Sequence, residues 1–382
     1  MSVTKNVFRL NDVYDLVNSG QWIQYDTSPD PGTLWTWGWA AGGTLGDGTV
    51  VPKSSPVQVP GTQWLKIAAS NCTNLAIKND NTLWVWGDNS VGEFGNGTYG
   101  PPGRSSPGAI PGSQWRSITA GSHILATKTD GTLWAWGCGS QGTLGNNLYS
   151  HRSTPVQVPG NSWNEIRASR LRHSMATKTD GTLWMWGEGS RGTLGNNTND
   201  HRSSPSQVPG NTWRSIAVGA SSNASRALAT KNDGTLWSWG DNGSGALGIG
   251  NETQRSSPTQ IPGTQWTKVS VAGYEGHALK TDGTLWGWGR NDYGAIGDST
   301  VICKQTPVQI PGTQWNDISS AGSNSRVLAR KTDGTLWTWG RGDLGQNGDG
   351  CINCRSSPVQ IPGTQWTDAC AGQNFSIARK TS

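Results

Sequence analysis

Phenylalanine and methionine are nearly missing from this chain, with three of each in 382 residues, so its core is not the usual aliphatic and Phe-rich kind. Charge is sparse as well: Asp, Glu, Lys and Arg make up 14%, and the formal net charge is only +5. Nucleic-acid binding is therefore not indicated. No apolar run approaches the roughly 20 residues of a membrane-spanning helix. The first 25 residues hold no continuous apolar block behind a basic start, so no secretory signal is expected. The compartment implied is the cytoplasm, or a virion assembled there. No Gly-Lys dipeptide, H-E-x-x-H or G-x-S-x-G occurs, which removes the phosphate loop, the zinc-protease helix and the nucleophile elbow. Two G-x-G-x-x-G strings, Gly137 to Gly142 and Gly187 to Gly192, run into T-L-G-N-N rather than a helix and do not make a dinucleotide site. The expectation is no enzyme, no cofactor and no metal.

What is present is glycine, 54 residues, and tryptophan, 23 residues against 6 Tyr. The string L-W-x-W-G occurs seven times, starting its tryptophan pair at Trp35, Trp84, Trp134, Trp184, Trp237, Trp286 and Trp337. A second series follows P-G-x-x at Trp64, Trp115, Trp163, Trp213, Trp266, Trp315 and Trp366; only Trp22 and Trp39 fall outside both. A period near 50 residues marks a repeat architecture.

Each unit reads as four short strands, in the second unit Trp64 to Ala69, Leu75 to Lys78, Thr82 to Trp86 and the Pro107 to Pro111 stretch. K-x-D-G-T joins strands two and three, with Gly supplying the positive φ of a tight turn. In Thr-Leu-Trp-x-Trp both indoles leave one face and Leu the other, so both faces are apolar. Sheets that cannot cover their own faces pack radially, which predicts an all-β, seven-bladed propeller of four-stranded antiparallel blades over residues 29–382. The last strand, Ser376 to Ser382, lacks the hairpin partner that Asp30 to Trp35 supplies, so the two ends are expected to share one blade and close the ring.

The stretch W-G-x(4)-G-x-[LFI]-G, from Trp86 to Gly95, Trp239 to Gly248 and Trp288 to Gly297, resembles the signature of regulator-of-chromosome-condensation repeats, as does the frame ending A-L-K-T-D-G-T-L-W. The resemblance covers about residues 29–382. It implies a propeller, and a family whose members carry unrelated jobs: nucleotide exchange on a small GTPase, UV-B sensing and β-lactamase inhibition. The photoreceptor's G-W-R-H-T motif is absent. The seventh unit, Trp339 to Gly345, reads as three residues short in its loop. Residues 1–28 form a separate arm with a short helix from Asn11, Leu10, Val13, Leu16 and Val17 lying on one side and Trp22 behind. That leader is similar to the front of tailed-phage structural proteins.

Lys53, Arg104, Arg152, Arg202, Arg255, Lys304 and Arg355 stand three residues before the S-P or T-P proline of every unit. A ring of like charge focuses potential on an acidic partner, while the plainer reading has each cation bonding its own loop. A second complete series, Lys78, Lys128, Lys178, Lys231, Lys280, Lys331 and Lys380, lies beside the hairpin turns, where the Asp two residues on is the expected counter-charge. His123 and His173 share a repeat position with Thr73, Arg226, Glu275, Arg326 and Phe375, variation that suggests a loop or channel rim. Cys303, Cys351 and Cys354 are near one another in the repeat frame, as free thiols or as a disulfide or metal pair. The reading that results is a non-catalytic structural or interaction module, part of a larger assembly such as a phage virion and docked through its arm and loop rim. The alternatives are a soluble regulator or inhibitor of one protein partner, and a glycan-binding lectin using loop aromatics, with Trp22 and Trp39 the surface candidates among the tryptophans.

Overall fold

The K-x-D-G-T turns show how the sequence joins the second and third strands of a blade. In the third unit the Gly131 φ is 82°, and its N–H donates to Lys128 O at 3.1 Å. Asp130 Oδ1 accepts the Thr132 N–H at 2.9 Å and its hydroxyl at 2.7 Å, and Thr132 Oγ1 accepts Trp134 Nε1–H at 2.9 Å. The turn is thus tied to the first tryptophan of the following strand. Asn81 takes the glycine place once, at φ 61°.

The computed structural model describes residues 32–70, 72–221, 224–321 and 325–381. The arm residues Leu10, Val13, Leu16, Val17 and Trp22 lie outside these. Antiparallel strands form five four-stranded sheets and one of seven strands. In the last, the 17-residue strand Lys53–Ala69 serves as outer strand of one blade and inner strand of the next, which makes seven blades. We number them from the closing one: blade 1 holds Trp366–Ala371, Phe375–Thr381, Gly32–Gly38 and the start of Lys53–Ala69. Gly32 pairs with Thr381 and Gly38 with Phe375, so the two ends of the described chain do share a blade. The first strands of successive blades touch one another all the way round the axis.

One apolar cluster fills each wedge. Between blades 3 and 4, Leu133, Ala135, Leu144 and Val158 pack on Trp163, Ile166, Ala176 and Trp186. The second tryptophan of each L-W-x-W, from Trp37 to Trp339, is fully buried, and its Nε1–H donates to a carbonyl of the preceding blade at 2.8–3.1 Å. That bond requires glycine opposite the ring: a Cβ on Gly145 would lie 2.7 Å from Trp186 Nε1. The core is therefore seven thin layers rather than one mass, and indoles fill the space a Phe-poor chain leaves.

Two details differ from the sequence reading. The fourth strand of blade 2 runs Arg104–Ala109, starting before Pro107, because an outermost strand needs no N–H on its free edge. The seventh unit is not short. Gly348, at φ 70°, lies against Trp37 as Gly145 lies against Trp186, and Asn347 takes the place of the buried Leu144. Asn347 is itself buried, accepting the Thr338 hydroxyl at 3.1 Å and donating to Asn353 O at 3.1 Å.

Candidate interaction face

In each blade the connections between strands one and two and between strands three and four meet at one rim, and the hairpin turns at the other. The three-to-four connections are loops of about fourteen residues, long enough to carry a surface. Six are anchored by a buried apolar residue, Leu45, Phe94, Leu144, Leu194, Leu247 or Ile296, and the seventh by the buried Asn347. Each also donates a backbone N–H to the outer strand of the next blade at 2.7–3.2 Å, from Gly48 to Ser105 O round to Gly350 to Ser54 O. His151 and His201 brace two of them, each Nδ1 accepting a glycine N–H at 3.0 Å. The rim is a continuous, fixed collar.

The large apolar side chains that stay exposed among the described residues are Trp39, Val50, Val51, Tyr99, Leu148, Tyr149, Tyr293, Val301, Ile302 and Ile352. All ten are in these loops. The basic series begins the outer strands at the foot of the same loops, opposite the glycine that ends strand three. Arg355 Nε and Nη2 reach Asp349 Oδ2 at 2.8 and 2.7 Å, Lys304 lies 3.4 Å from Asp298, and Arg202 lies 3.8 Å from Asp200. Arg104 stacks 4.8 Å from the Phe94 ring centre. Counted with these seven cations, the loops carry ten basic and eleven acidic residues, so the collar has no cationic excess.

The other lysine series has a different partner from the one expected. Every Lys ammonium, Lys78 to Lys380, lies 4.2–5.1 Å from the ring centres of two tryptophans of its own blade. The neighbouring Asp is taken by the turn threonine instead. These lysines are clamps on the wedge.

The position shared by Thr73, His123, His173, Arg226, Glu275, Arg326 and Phe375 is no exposed rim: all seven are buried. Each lies at or near the start of strand two and pairs with the glycine that ends strand three; His123, Arg226, Glu275 and Arg326 reach on to the next blade, whereas Thr73 bonds Asp88 O and His173 meets Ser169 within its own. His123 Nε2 is 2.6 Å from Ser174 Oγ, and Glu275 Oε1 accepts the Ser325 hydroxyl at 2.6 Å. Arg326 donates to Gln346 O, Ser376 Oγ, Gly372 O and Phe375 O at 2.6–2.8 Å. Burial drives His123 down to about 3, His173 and His277 down to about 4, and Arg326 down to about 9. These buried groups act as ties, bonded to hydroxyls and backbone carbonyls.

Facing the axis, Glu165 pairs with Arg167 at 2.6 Å and Asp317 pairs with Lys268, with Arg330 3.8 Å away. Enclosure and the nearby Asp317 push Asp368 up to about 6. At the collar end of the axis lies a cavity of about 100 Å³ lined by small residues such as Ala69, Gly121, Gly219, Ala272 and Gly372. The six cysteines are free thiols, and among the described residues no group of three or more His, Cys, Asp or Glu is placed to hold a metal. Among the same residues no helix is long and apolar enough to cross a membrane.

The RCC1-like domain matches residues 33–378. No curated protein matches. Human WBSCR16 superposes with a TM-score of 0.79 at 21% identity, over 92% of this chain and 100% of that one. Yeast RCC1 (Prp20), in its complex with Kap60, gives a TM-score of 0.81 at 19% identity over 100% and 94%. Prp20p from Saccharomyces cerevisiae, studied for its binding to Gsp1p and histones, gives 0.80 at 20% identity over 93% and 92%. At such identities the likeness is one of fold.

Proposed function

The chain belongs to the RCC1-like domain family, and on that footing we propose that it is a non-catalytic interaction module that holds one protein partner against its loop collar. One observation carries this: the ten exposed large apolar side chains all lie in three-to-four loops on one rim. Scattered single residues of that kind are ordinary; their confinement to one face is the mark of a docking surface. The basic series Lys53, Arg104, Arg152, Arg202, Arg255, Lys304 and Arg355 borders the same face and would orient a partner more than attract it. The neighbour Prp20p, with its binding to Gsp1p and histones, supports a regulator of a protein partner. The reading as a virion component rests on the leader alone, which lies outside the described residues, and is the lesser one.

The test compares the two rims. Val50, Tyr99, Tyr149, Val301 and Ile352 changed together to Ser should abolish recovery of the partner bound by the unaltered chain. Asp130→Asn with Asp180→Asn, on the opposite rim, should leave it unchanged. Loss from the second pair alone would put the docking face on the other side. Binding to an array of glycans that Trp39→Ser removes would favour a lectin.

A further inference from the structure

The seven long loops share one frame, so a single position can be followed round the ring. Four residues after the last signature glycine stand Val50, Tyr99, Tyr149, Asn199, Glu252, Val301 and Ile352, all exposed. In ring order, blades 6, 7, 1, 2 and 3 present Val, Ile, Val, Tyr and Tyr, and blades 4 and 5 present Asn and Glu. The other exposed apolar residues, Trp39, Val51, Leu148, Tyr293 and Ile302, fall in the same five blades. A scaffold requirement recurs in every repeat, whereas this feature breaks the symmetry at an identical backbone position. Together the ten side chains expose on the order of 1,000 Å², against about 800 Å² per partner in a stable protein interface.

We propose that this arc receives a second copy of the same chain, docked collar to collar about a two-fold axis through blade 1. The proposal rests on the collar being the docking face. A facing copy presents its blades in reverse order, so blade 2 meets blade 7 of the other copy, blade 3 meets blade 6, and blade 4 meets blade 5. Val50 then meets its own equivalent, Tyr99 faces Ile352, Tyr149 faces Val301, and Asn199 faces Glu252. A two-fold axis through any other blade sets Asn199 or Glu252 against an apolar side chain. An isologous contact of this kind is closed, as the commonest homodimers are.

Charge agrees with that placement. On blade 4, Arg172 and Arg202 have side chains 46% exposed and Arg191 51% exposed although they pair with Glu188, Asp200 and Asp241, so their outer faces stay open to a second carboxylate. On blade 5 the exposed charged residue of the loop is the acid Glu252. The axis through blade 1 lays each copy's arginine-bearing sector over the other's Glu252, twice. Elsewhere the collar's acids and bases nearly cancel, so two copies do not repel at long range.

Sedimentation equilibrium of the full chain tests the pairing. The expected result is a reversible dimer whose dissociation constant rises by about tenfold or more for Tyr149→Glu, Val301→Glu or Ile352→Glu, with unfolding midpoints unchanged. Glu252→Arg should weaken the dimer, and adding Arg202→Glu should restore part of the loss. A chain monomeric at about 100 μM overturns the self-docking; if its collar variants still lose a different protein partner, the collar reading stands without it. A dimer indifferent to all these substitutions overturns the collar-to-collar pairing, and the collar reading falls only if the same variants also keep every other protein partner.

Discussion

The Lys380 ammonium lies 5.0 Å from the centre of the Trp35 ring, joining the last described strand of the chain to the first. It sits 4.2 Å from Trp366 as well, and the same three-part clamp recurs in all seven blades. A lysine held between two indoles covers the edge of a wedge, a use of cation–π contact that repeats once per blade.

Removing one clamp should cost about 1–2 kcal/mol, two partly shielded contacts of this type. Lys178→Met is the clean case, read as a drop in the urea midpoint at constant slope. Asp180→Asn should cost far less, because the amide oxygen still accepts the Thr182 N–H and hydroxyl. Equal losses from the two would restore the Asp as the lysine's partner.

The tryptophans divide into two classes with opposite mutational signatures. Trp186→Ala removes a fully buried ring and its bond to Thr143 O, and should cost about 3–5 kcal/mol. Trp39 is 40% exposed on the collar, so Trp39→Ser should stay within about 0.5 kcal/mol while weakening association. Chemical denaturation of both variants, followed by far-UV circular dichroism, separates them.

Arg326 ties blade 7 to the closing blade through Ser376 Oγ, Gly372 O and Phe375 O, with a fourth bond to Gln346 O of its own loop and no carboxylate. Arg326→Met leaves carbonyls buried without a donor and should cost at least about 2 kcal/mol. Arg326→Lys should not recover it, since a single ammonium cannot reproduce the planar fork. Full rescue by lysine in a thermal melt would contradict the assigned role.

Acid sensitivity follows from the buried imidazoles. His123, His173 and His277 have folded values of about 3, 4 and 4, below their unfolded value, so the unfolded chain binds more protons in between. Their contribution is intact above about pH 6.5 and is lost as pH falls toward 4, with a slope of about 1.4 kcal/mol per pH unit for each. Asp368 acts in reverse: its folded value, about 6, lies above the unfolded one, so stability linked to it falls as pH rises from about 4 through 6. Urea titrations from pH 4 to 8 should show His173→Asn flattening the acid limb and Asp368→Asn gaining stability at neutral pH. An unchanged acid limb in His173→Asn would show that this ring titrates normally.

The architecture was legible because tryptophan spacing, turn chemistry and the split blade all report backbone geometry. The residues at Thr73, His123 and Arg226 misled for a physical reason. Variation usually signals exposure, yet here each buried side chain is met differently, His123 by Ser174 and Arg226 by Gly273 O of the next blade and Thr73 by Asp88 O of its own, so no one type is required. Proline at 107 hid the start of its strand because an outer edge tolerates a missing donor. Asn347 hid the seventh signature, since it replaces an apolar anchor by bonding its own loop. The apolar arc had a readable signal that periodicity does not weigh: one loop position, aligned on the last signature glycine, from Val50 to Ile352.

Hydroxyl-radical footprinting tests the collar most directly, comparing the dilute free chain with the chain in its bound or self-associated state. The account predicts loss of reactivity at Tyr99, Tyr149, Val301 and Ile352, with the hairpin turns around Asp130, Asp180 and Asp233 unchanged. Protection centred on those turns, with the four loop residues still reactive, would contradict it.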